Sequence, residues 1–172
     1  MVPIISIVGK SDSGKTTLIE RLVPELITRG YRIGTIKHGA HDFKADREGK
    51  DSWRHKHAGA DTAAISSSRK IAVVKDVETE ETLDSLASKY FQGVDIILTE
   101  GYKKENKPKI EVVRSKAHGK SLFKRDSCLV AIVSDTPFSS LGAPWFKPDD
   151  IKGIADFVEE KFLVKSSQTR GL

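Results

Sequence analysis

The chain has 172 residues, of which 38% are hydrophobic and 31% are charged, a composition typical of an ordinary soluble globular protein. Its formal net charge of +5 favours anionic partners such as nucleotides or an acidic protein. Nucleic acid is the weaker interpretation because no RNA-binding signature occurs. The single cysteine, Cys128, excludes a disulfide framework, and no apolar run is long enough to span a membrane. We expect a cytoplasmic protein with one domain over residues 1–164 and a disordered tail over 165–172.

A glycine-rich segment near the start reads G-x-x-x-x-G-K-T, the Walker A pattern of a phosphate-binding loop. The apolar, β-branched residues 3–8 before it predict a buried strand, and a helical pattern begins directly after it. Gly9 and Gly14 let the backbone approach phosphate, and the loop N–H groups and helix N-terminus then point at the anion. Lys15 is expected to reach the β- and γ-phosphates as a catalytic group, and the Thr16 hydroxyl is expected to ligate Mg²⁺. The predicted nucleotide contacts of this segment are Gly9, Ser11, Asp12, Ser13, Gly14, Lys15, Thr16 and Thr17.

The next elements predict the beginning of an α/β fold. A helix is expected over residues 15–29, with Gly30 as its stop, and a second strand over 31–37. These three elements predict a right-handed βαβ unit whose two strands form a parallel pair. Residues 37–53 follow the carboxyl end of a strand, where open α/β sheets bind ligands, and their oxygens suit phosphate-bound Mg²⁺. The expected apolar stripe of the helix is Leu18, Ile19, Leu22, Val23, Leu26 and Ile27.

The middle of the chain predicts a short helix, a hairpin and a longer helix. Asp51 and Ser52 are expected to cap the short helix, and residues 61–66 and 70–75 read as two strands joined by a turn. Thr79 is expected to begin the longer helix. The apolar stripe of that helix is expected to be Leu83, Leu86, Ala87 and Tyr90.

An apolar strand over residues 94–99 ends in Glu100, which is the shape of a Walker B element. Glu100 is expected to hold Mg²⁺ directly or through water, or to orient an attacking water, and is the second catalytic candidate. Asp95, at the other end of the strand, is expected to face solvent. Four lysines follow this strand, and such a run of charges predicts a solvent-exposed surface, or wet face. The alternative is that the lysines dock a phosphate-bearing ligand or an acidic partner. The members of the run are Lys103, Lys104, Lys107 and Lys109.

A second buried strand is predicted over residues 129–133, and Asp135 lies at its tip. A carboxylate at this position suits the N1–H and 2-amino groups of guanine, whereas the alternative is a simple turn before Pro137. The last helix is expected to be capped by Asp149 or Asp150.

Several separate segments, spread over residues 3–163, agree with one known family. On these segments the chain resembles MobB, the molybdopterin-guanine dinucleotide biosynthesis accessory family. One departure concerns histidines, which are often adjacent in the family, whereas Gly39 and Ala40 separate His38 from His41 here. The sequence assigns no role to His41, His55 or His57. The segments that carry the resemblance are the phosphate loop, 34–38, 49–52, 58–60, 98–103 and 110–114.

The resemblance implies a P-loop NTPase-like, three-layer α/β fold with a mostly parallel central sheet flanked by helices. It also implies a homodimer, GTP binding with slow Mg²⁺-dependent hydrolysis, and cooperation with a MobA-like guanylyltransferase that joins GMP to molybdopterin. Molybdopterin or its guanine dinucleotide is then an expected ligand. Lys37 and His38 are expected to contact the nucleotide, and Asp46 or Asp51 to contact the metal or its waters.

Two other functions stay open at this stage. One is a small-molecule kinase of the P-loop fold, with the basic residues 116–125 as a lid that lacks a close arginine pair. The other is a nucleotide-switched module that carries molybdopterin on basic residues, among them Lys103 and Arg114. A fast GTPase needs a water-positioning glutamine or an arginine finger. The arginine candidates are Arg47, Arg54 and Arg69.

Overall fold

The structure is a computed structural model that describes residues 1–39, 46–114, 126–138 and 142–163. The chain divides into two compact units, one formed by Met1–His38 with Ala87–Leu172 and the other by Gly39–Leu86. His41, the basic stretch 116–125 and the predicted tail lie outside the described residues. No helix among the described residues is long and apolar enough to cross a membrane.

The described elements alternate between strands and helices in the first unit and include a hairpin in the second. In chain order they are β1 (Ile4–Val8), α1 (Lys15–Thr28), β2 (Ile33–Lys37), α2 (Asp51–His57), β3 (Thr62–Ser66), β4 (Ile71–Lys75), α3 (Leu83–Tyr90), β5 (Ile96–Glu100), β6 (Lys109–Val113), β7 (Leu129–Ser134), β8 (Trp145–Phe146), α4 (Ile151–Val158) and a π-helical turn (Glu159–Leu163).

The first unit is built on a six-stranded sheet with the order β2-β5-β1-β6-β7-β8, in which every neighbouring pair is parallel. This arrangement, flanked by helices, confirms the P-loop NTPase-like α/β fold. The predicted direct pairing of β1 with β2 is wrong, because β5 lies between them: Leu98 pairs with Ile5 on one side and Thr35 on the other. The physical reason is burial. β5 is almost fully buried and suits the interior of the sheet, whereas β2 is mostly half-exposed and suits the edge.

Helix α1 covers one face of the sheet together with α4. Its buried residues, Leu18, Leu22 and Leu26, recur every four positions and join one core cluster with Ile5 of β1. The predicted core residue Ile27 is 55% exposed, because it lies one step, about 100°, around the helix from Leu26. The α4 residues of the same cluster are Ile154, Ala155 and Val158.

Polar contacts tie the end of α1 to the end of α4. The Arg29 guanidinium lies 2.9 Å from both Glu25 and Glu159 and 2.6 Å from Asp156. The Tyr31 hydroxyl donates a hydrogen bond of 2.6 Å to Glu159. This hydrogen bond, with burial adding to it, raises the pKa of Tyr31 to about 12. The same bond, followed by the contact with Arg29, lowers the pKa of Glu159.

The opposite face of the sheet carries buried polar groups. Ile110 and Val112 belong to the core cluster, so the alternation of a strand places Lys109 and Glu111 on the other face. Glu111 is only 1% exposed. Lys109 is 3% exposed and pairs at 2.9 Å with Asp126, so its predicted place on a wet face is wrong. The hydrogen bond from Lys109, followed by the N–H of Cys128, lowers the pKa of the Asp126 carboxyl.

Asp95 also departs from its predicted role. Its carboxylate accepts a 2.7 Å hydrogen bond from the backbone N–H of Arg32, and its own N–H donates to the Arg32 carbonyl oxygen. Asp95 therefore joins the amino ends of β2 and β5 and does not simply face solvent.

The predicted cap of the last helix is confirmed for one of its two candidates. Asp150 caps α4 through a hydrogen bond that its side chain accepts from the Gly153 N–H.

The second unit contains α2 and the antiparallel β3–β4 hairpin, which confirms the two predicted strands. Asp51 is the first residue of α2 and Lys50 stands at its N-cap without a side-chain hydrogen bond, so the predicted Asp51–Ser52 cap is wrong. The His57 ring stacks on Trp53 with centroids 4.5 Å apart.

Helix α3, which spans the boundary between the units, begins later than predicted. The Thr82 hydroxyl oxygen accepts a hydrogen bond from the Ser85 N–H, so the helix begins at Leu83 and not at Thr79. Leu83 is buried, whereas Tyr90, predicted on the same stripe, is 58% exposed in the last turn.

Candidate functional site

The polar residues singled out in the first unit follow the carboxyl ends of neighbouring strands. Lys37 ends β2, Glu100 ends β5, and the loop 9–14 follows β1. Arg114 and Asp135 come directly after β6 and β7. Because these strands are parallel, all these positions lie along one edge of the sheet, where open α/β folds bind their ligands.

The loop after β1 has a backbone that a side chain would disrupt. A Cβ atom on Gly9 would lie 2.4 Å from the Val112 carbonyl oxygen and 2.7 Å from Ser13 Oγ. Gly14 has a φ of 96°, and Asp12, a residue with a side chain, has a φ of 56°. Left-handed residues within a tight turn direct successive N–H groups into one concavity, which is the geometry of an anion-binding nest.

The same loop contains a buried polar atom without a hydrogen-bond partner in the part of the chain that the structure describes. Ser13 is 2% exposed, and its Oγ makes no hydrogen bond to any of the described residues. Gly14 stands at the N-cap of α1 and offers no side chain to the N–H groups of the first helical turn. Buried polar groups are almost always hydrogen-bonded, so this orphaned hydroxyl and the uncapped helix start fit a bound phosphate.

Lys15 is held at the loop through a backbone oxygen. Its Nζ donates a 2.7 Å hydrogen bond to the Lys10 carbonyl. Burial lowers the pKa of the Lys15 ammonium, with Glu100 acting in the opposite direction and Lys103 adding to the decrease. The ammonium is thus partly desolvated beside the loop, where a phosphate oxygen offers a stronger partner than a neutral carbonyl.

The two predicted Mg²⁺ residues of the first unit are in contact. The Thr16 hydroxyl donates to Glu100 Oε2 at 2.9 Å, and Lys37 Nζ lies 3.5 Å from Glu100 Oε1. The Glu100 side chain is only 16% exposed. A hydroxyl and a carboxylate beside a phosphate loop form the hard oxygen set that Mg²⁺ prefers, so these residues fit that ion.

His38 lies beside β5, the strand that ends in Glu100. Its backbone N–H donates to the Glu100 carbonyl oxygen at 2.9 Å, and its ring centroid is 4.8 Å from that of Tyr102. A Cβ atom on Gly101 would approach the Cβ of His38 to 3.0 Å. Two predicted nucleotide contacts, Lys37 and His38, are therefore brought next to Glu100.

The remaining predicted residues make no contact with the Thr16–Glu100 pair that the structure shows. Ser11 and Thr17 are exposed on the loop and on the first turn of α1, and Asp135 lies two strands away from β1 along the sheet edge. Asp46 and Asp51 belong to the second unit, where Asp46 accepts a 2.7 Å hydrogen bond from the Arg47 N–H. The Asp51 side chain is exposed and 3.9 Å from Arg54. Their roles in base reading and metal binding stay predictions.

The structure adds Arg114 to the surroundings of the loop. Its Nη2 and Nε atoms lie 3.6 and 3.8 Å from the position that a Cβ atom on Gly14 would occupy. The sequence suggests Arg114 only as one of the basic residues of the alternative module that carries molybdopterin. The signal that points to the loop is its position directly after an apolar strand, but the sequence does not tell that this strand lies next to β1.

Comparison with known proteins agrees with this architecture. Residues 4–135 match the model of the family described as molybdopterin guanine dinucleotide synthesis protein B, MobB. A molybdopterin-guanine dinucleotide biosynthesis adapter protein of Haemophilus influenzae is 37% identical over 159 residues, covering 92% of this chain and 88% of that protein. An Escherichia coli protein of the same name is 38% identical over 164 residues, covering 93% of each.

Solved structures give the same result at the level of the fold. The crystal structure of a molybdopterin-guanine biosynthesis protein B has a TM-score of 0.73 at 35% identity and covers 91% of this chain and 97% of that one. The structure of Bacillus subtilis MobB has a TM-score of 0.72 at 28% identity, with 93% and 98% covered. The sheet order, the phosphate loop and these matches together show that the chain belongs to the MobB family.

Proposed function

We propose that this chain is a GTP-binding adapter protein of molybdopterin guanine dinucleotide biosynthesis, with slow Mg²⁺-dependent GTPase activity. The observation that supports it most strongly is the contact of Thr16 with Glu100 at the mouth of a phosphate loop that contains an orphaned buried hydroxyl, on Ser13. The similar proteins of Haemophilus influenzae and Escherichia coli are named adapters of this biosynthesis.

Each residue of the site has a proposed task. The loop N–H groups hold the β-phosphate, and Lys15 exchanges the Lys10 carbonyl for the β- and γ-phosphate oxygens. Thr16 and Glu100 hold Mg²⁺, which when bound neutralises charge on the phosphates. Lys37 and His38, which lie next to Glu100, make further contacts to the nucleotide.

The proposed turnover is slow because no glutamine among the described residues lies at this edge of the sheet. The glutamines of the sequence are Gln92, which precedes β5 at the amino edge, and Gln168, which lies in the predicted tail. Fast P-loop GTPases orient the attacking water with a glutamine or stabilise the transition state with an arginine.

A MobA-like guanylyltransferase is the proposed partner of this chain. Molybdopterin or its guanine dinucleotide is the proposed ligand that passes between the two proteins.

Guanine specificity is assigned to Asp135, and binding experiments with matched variants test the site. Calorimetry with Mg²⁺ should show tighter binding of GTP than of ATP, with the difference reduced in Asp135→Ala.

Lys15→Ala should weaken GTP binding at least tenfold and slow phosphate release, because a charge-assisted hydrogen bond contributes about 1.5–3 kcal/mol. Lys152→Ala, on the exposed side of α4, is the matched control. Unchanged GTP affinity in Lys15→Ala would overturn the site, and equal affinity of the wild type for GTP and ATP would overturn the guanine assignment.

A homodimer formed through the β3–β4 hairpin is also proposed. Ile71 and Val73 share one face of the hairpin and are 72% and 49% exposed, while Ile65 on the other face is 53% exposed. A two-stranded hairpin with exposed apolar faces is marginal alone and gains from a second copy. Sedimentation should give a dimer for the wild type and a monomer for Ile71→Lys combined with Val73→Thr. A monomeric wild type at tens of micromolar, or a dimeric variant, would contradict this proposal.

A further inference from the structure

Arg114 lies beside the phosphate loop because of the sheet order. Strand β6 pairs in parallel with β1, with Val8 opposite Glu111, so the residues that follow both strands emerge side by side. The Arg114 guanidinium consequently lies 3.6 Å from the Cβ position of Gly14, the glycine that immediately precedes α1.

The two sides of the loop carry groups of opposite charge. On the β5 side stands the Glu100 carboxylate with the Thr16 hydroxyl, and on the β6 side stands the Arg114 guanidinium. Within the described parts of the chain this guanidinium makes no hydrogen bond or ion pair, in contrast to Arg29, which holds three carboxylates. Its donors therefore face the loop without a described protein acceptor.

We propose that Arg114 is a phosphate-binding residue that contacts the nucleotide's phosphate chain from the β6 side, opposite the Thr16–Glu100 pair. The inference rests on the proposed nucleotide site and extends it. A guanidinium presents donors in a planar fork that matches two phosphate oxygens, and its charge does not depend on pH in the physiological range. Together with Lys15, Arg114 would give a bound triphosphate a second cation, on the side of the loop opposite Glu100.

This assignment differs from pterin docking, which the sequence suggested for the same residue, and from a purely structural contact with Gly14. Phosphate binding predicts that the effect of substitution depends on the length of the phosphate chain and on the positive charge. A structural contact with the loop predicts the same loss for every nucleotide and no rescue by lysine.

The experiment compares Arg114→Gln and Arg114→Lys with Arg32→Gln. Arg32 precedes β2 at the opposite edge of the sheet, so its substitution removes the same charge away from the loop. Calorimetry with GTP, GDP and GMP should show losses of about 10- to 100-fold for GTP and GDP in Arg114→Gln, the range expected for a charge-assisted hydrogen bond. GMP should lose less, Arg114→Lys should recover part of the GTP affinity, and Arg32→Gln should match the wild type. Urea unfolding midpoints identify variants that retain the fold, and Arg114→Lys keeps the test valid if Arg114→Gln is unstable.

The outcomes separate this inference from the function on which it rests. If the wild type binds GTP and a folded Arg114→Gln variant binds it within twofold, the phosphate role of Arg114 is refuted and the nucleotide site stands. An equal loss for all three nucleotides without rescue by lysine also refutes it, in favour of a structural contact. If Arg114→Gln lost molybdopterin binding but kept its GTP affinity, the phosphate role would be refuted and Arg114 would be a pterin-docking residue. A wild type that binds no nucleotide would refute the nucleotide site and this inference together.

Discussion

The Glu100→Gln substitution separates the metal role of Glu100 from its structural role. Glutamine has almost the same shape and keeps an oxygen that can accept the 2.9 Å hydrogen bond from Thr16. What it removes is the negative charge that faces Lys37 at 3.5 Å. Since the Lys37 side chain is 71% exposed, that ion pair contributes little, about 0.5 kcal/mol. The free energy of unfolding should therefore change by less than about 1 kcal/mol.

The effect on nucleotide binding should have opposite signs with and without Mg²⁺. With Mg²⁺, the loss of a charged group at the metal site should weaken GTP binding about 10- to 100-fold. Without metal, Glu100 repels the phosphates across several ångströms, which costs about 1 kcal/mol at an intermediate dielectric constant. GTP should therefore bind to Glu100→Gln about fivefold more tightly than to the wild type in EDTA.

The assay is calorimetric titration of GTP in Mg²⁺ and in EDTA, with urea unfolding of the same samples. Glu160→Gln, on the exposed side of the π-helical turn, removes the same charge elsewhere and should leave both affinities unchanged. If Glu100→Gln kept the Mg²⁺ enhancement of the wild type, the carboxylate would not belong to the metal site. If it lost several kcal/mol of stability, its role would be structural.

Three further predictions concern the fold that supports the site. Gly9→Ala should lower the free energy of unfolding by about 3 kcal/mol, because its Cβ would meet the Val112 carbonyl oxygen; Gly30→Ala, with a φ of 91° and open space around it, should cost about 1 kcal/mol. Asp126→Asn should cost about 2–3 kcal/mol in urea unfolding, because it removes the carboxylate charge that lies 2.9 Å from the buried Lys109 ammonium. The raised pKa of Tyr31 means that its contribution to stability is complete below pH 10 and is lost as the pH rises to about 12; Tyr31→Phe should remove this alkaline dependence when unfolding is measured at pH 8, 10.5 and 11.5.

Each of these predictions has a result that contradicts it. Equal costs of the two glycine substitutions would show that the backbone after β1 has room for a side chain. A neutral Asp126→Asn would mean that the ammonium finds another partner or water. A wild type whose unfolding free energy is flat between pH 10 and 12 would show that the tyrosine hydroxyl does not hold its proton more tightly in the folded state.

Local patterns were sufficient for the elements that carry the chemistry. The phosphate loop could be predicted from the spacing of Gly9, Gly14, Lys15 and Thr16 alone, because close approach of a backbone to phosphate requires glycine at fixed positions. The buried run that ends in Glu100 likewise predicted an acid at a strand tip. Periodicity placed α1 within one residue of its observed end and predicted the β3–β4 hairpin.

What the sequence by itself determined, then, is the kind of ligand the first unit suits, since the groups that recognise phosphate lie close together in the chain. The tertiary structure alone decided which strands are neighbours. Strand β5 lies between β1 and β2, so Glu100 at its end contacts Thr16. Strand β6 lies on the other side of β1, so Arg114 lies beside Gly14. It also buried Lys109, which a charge run had placed in solvent. Strand order and the partners of a buried charge depend on packing between segments distant in the chain, and this packing leaves no periodic signal in the sequence.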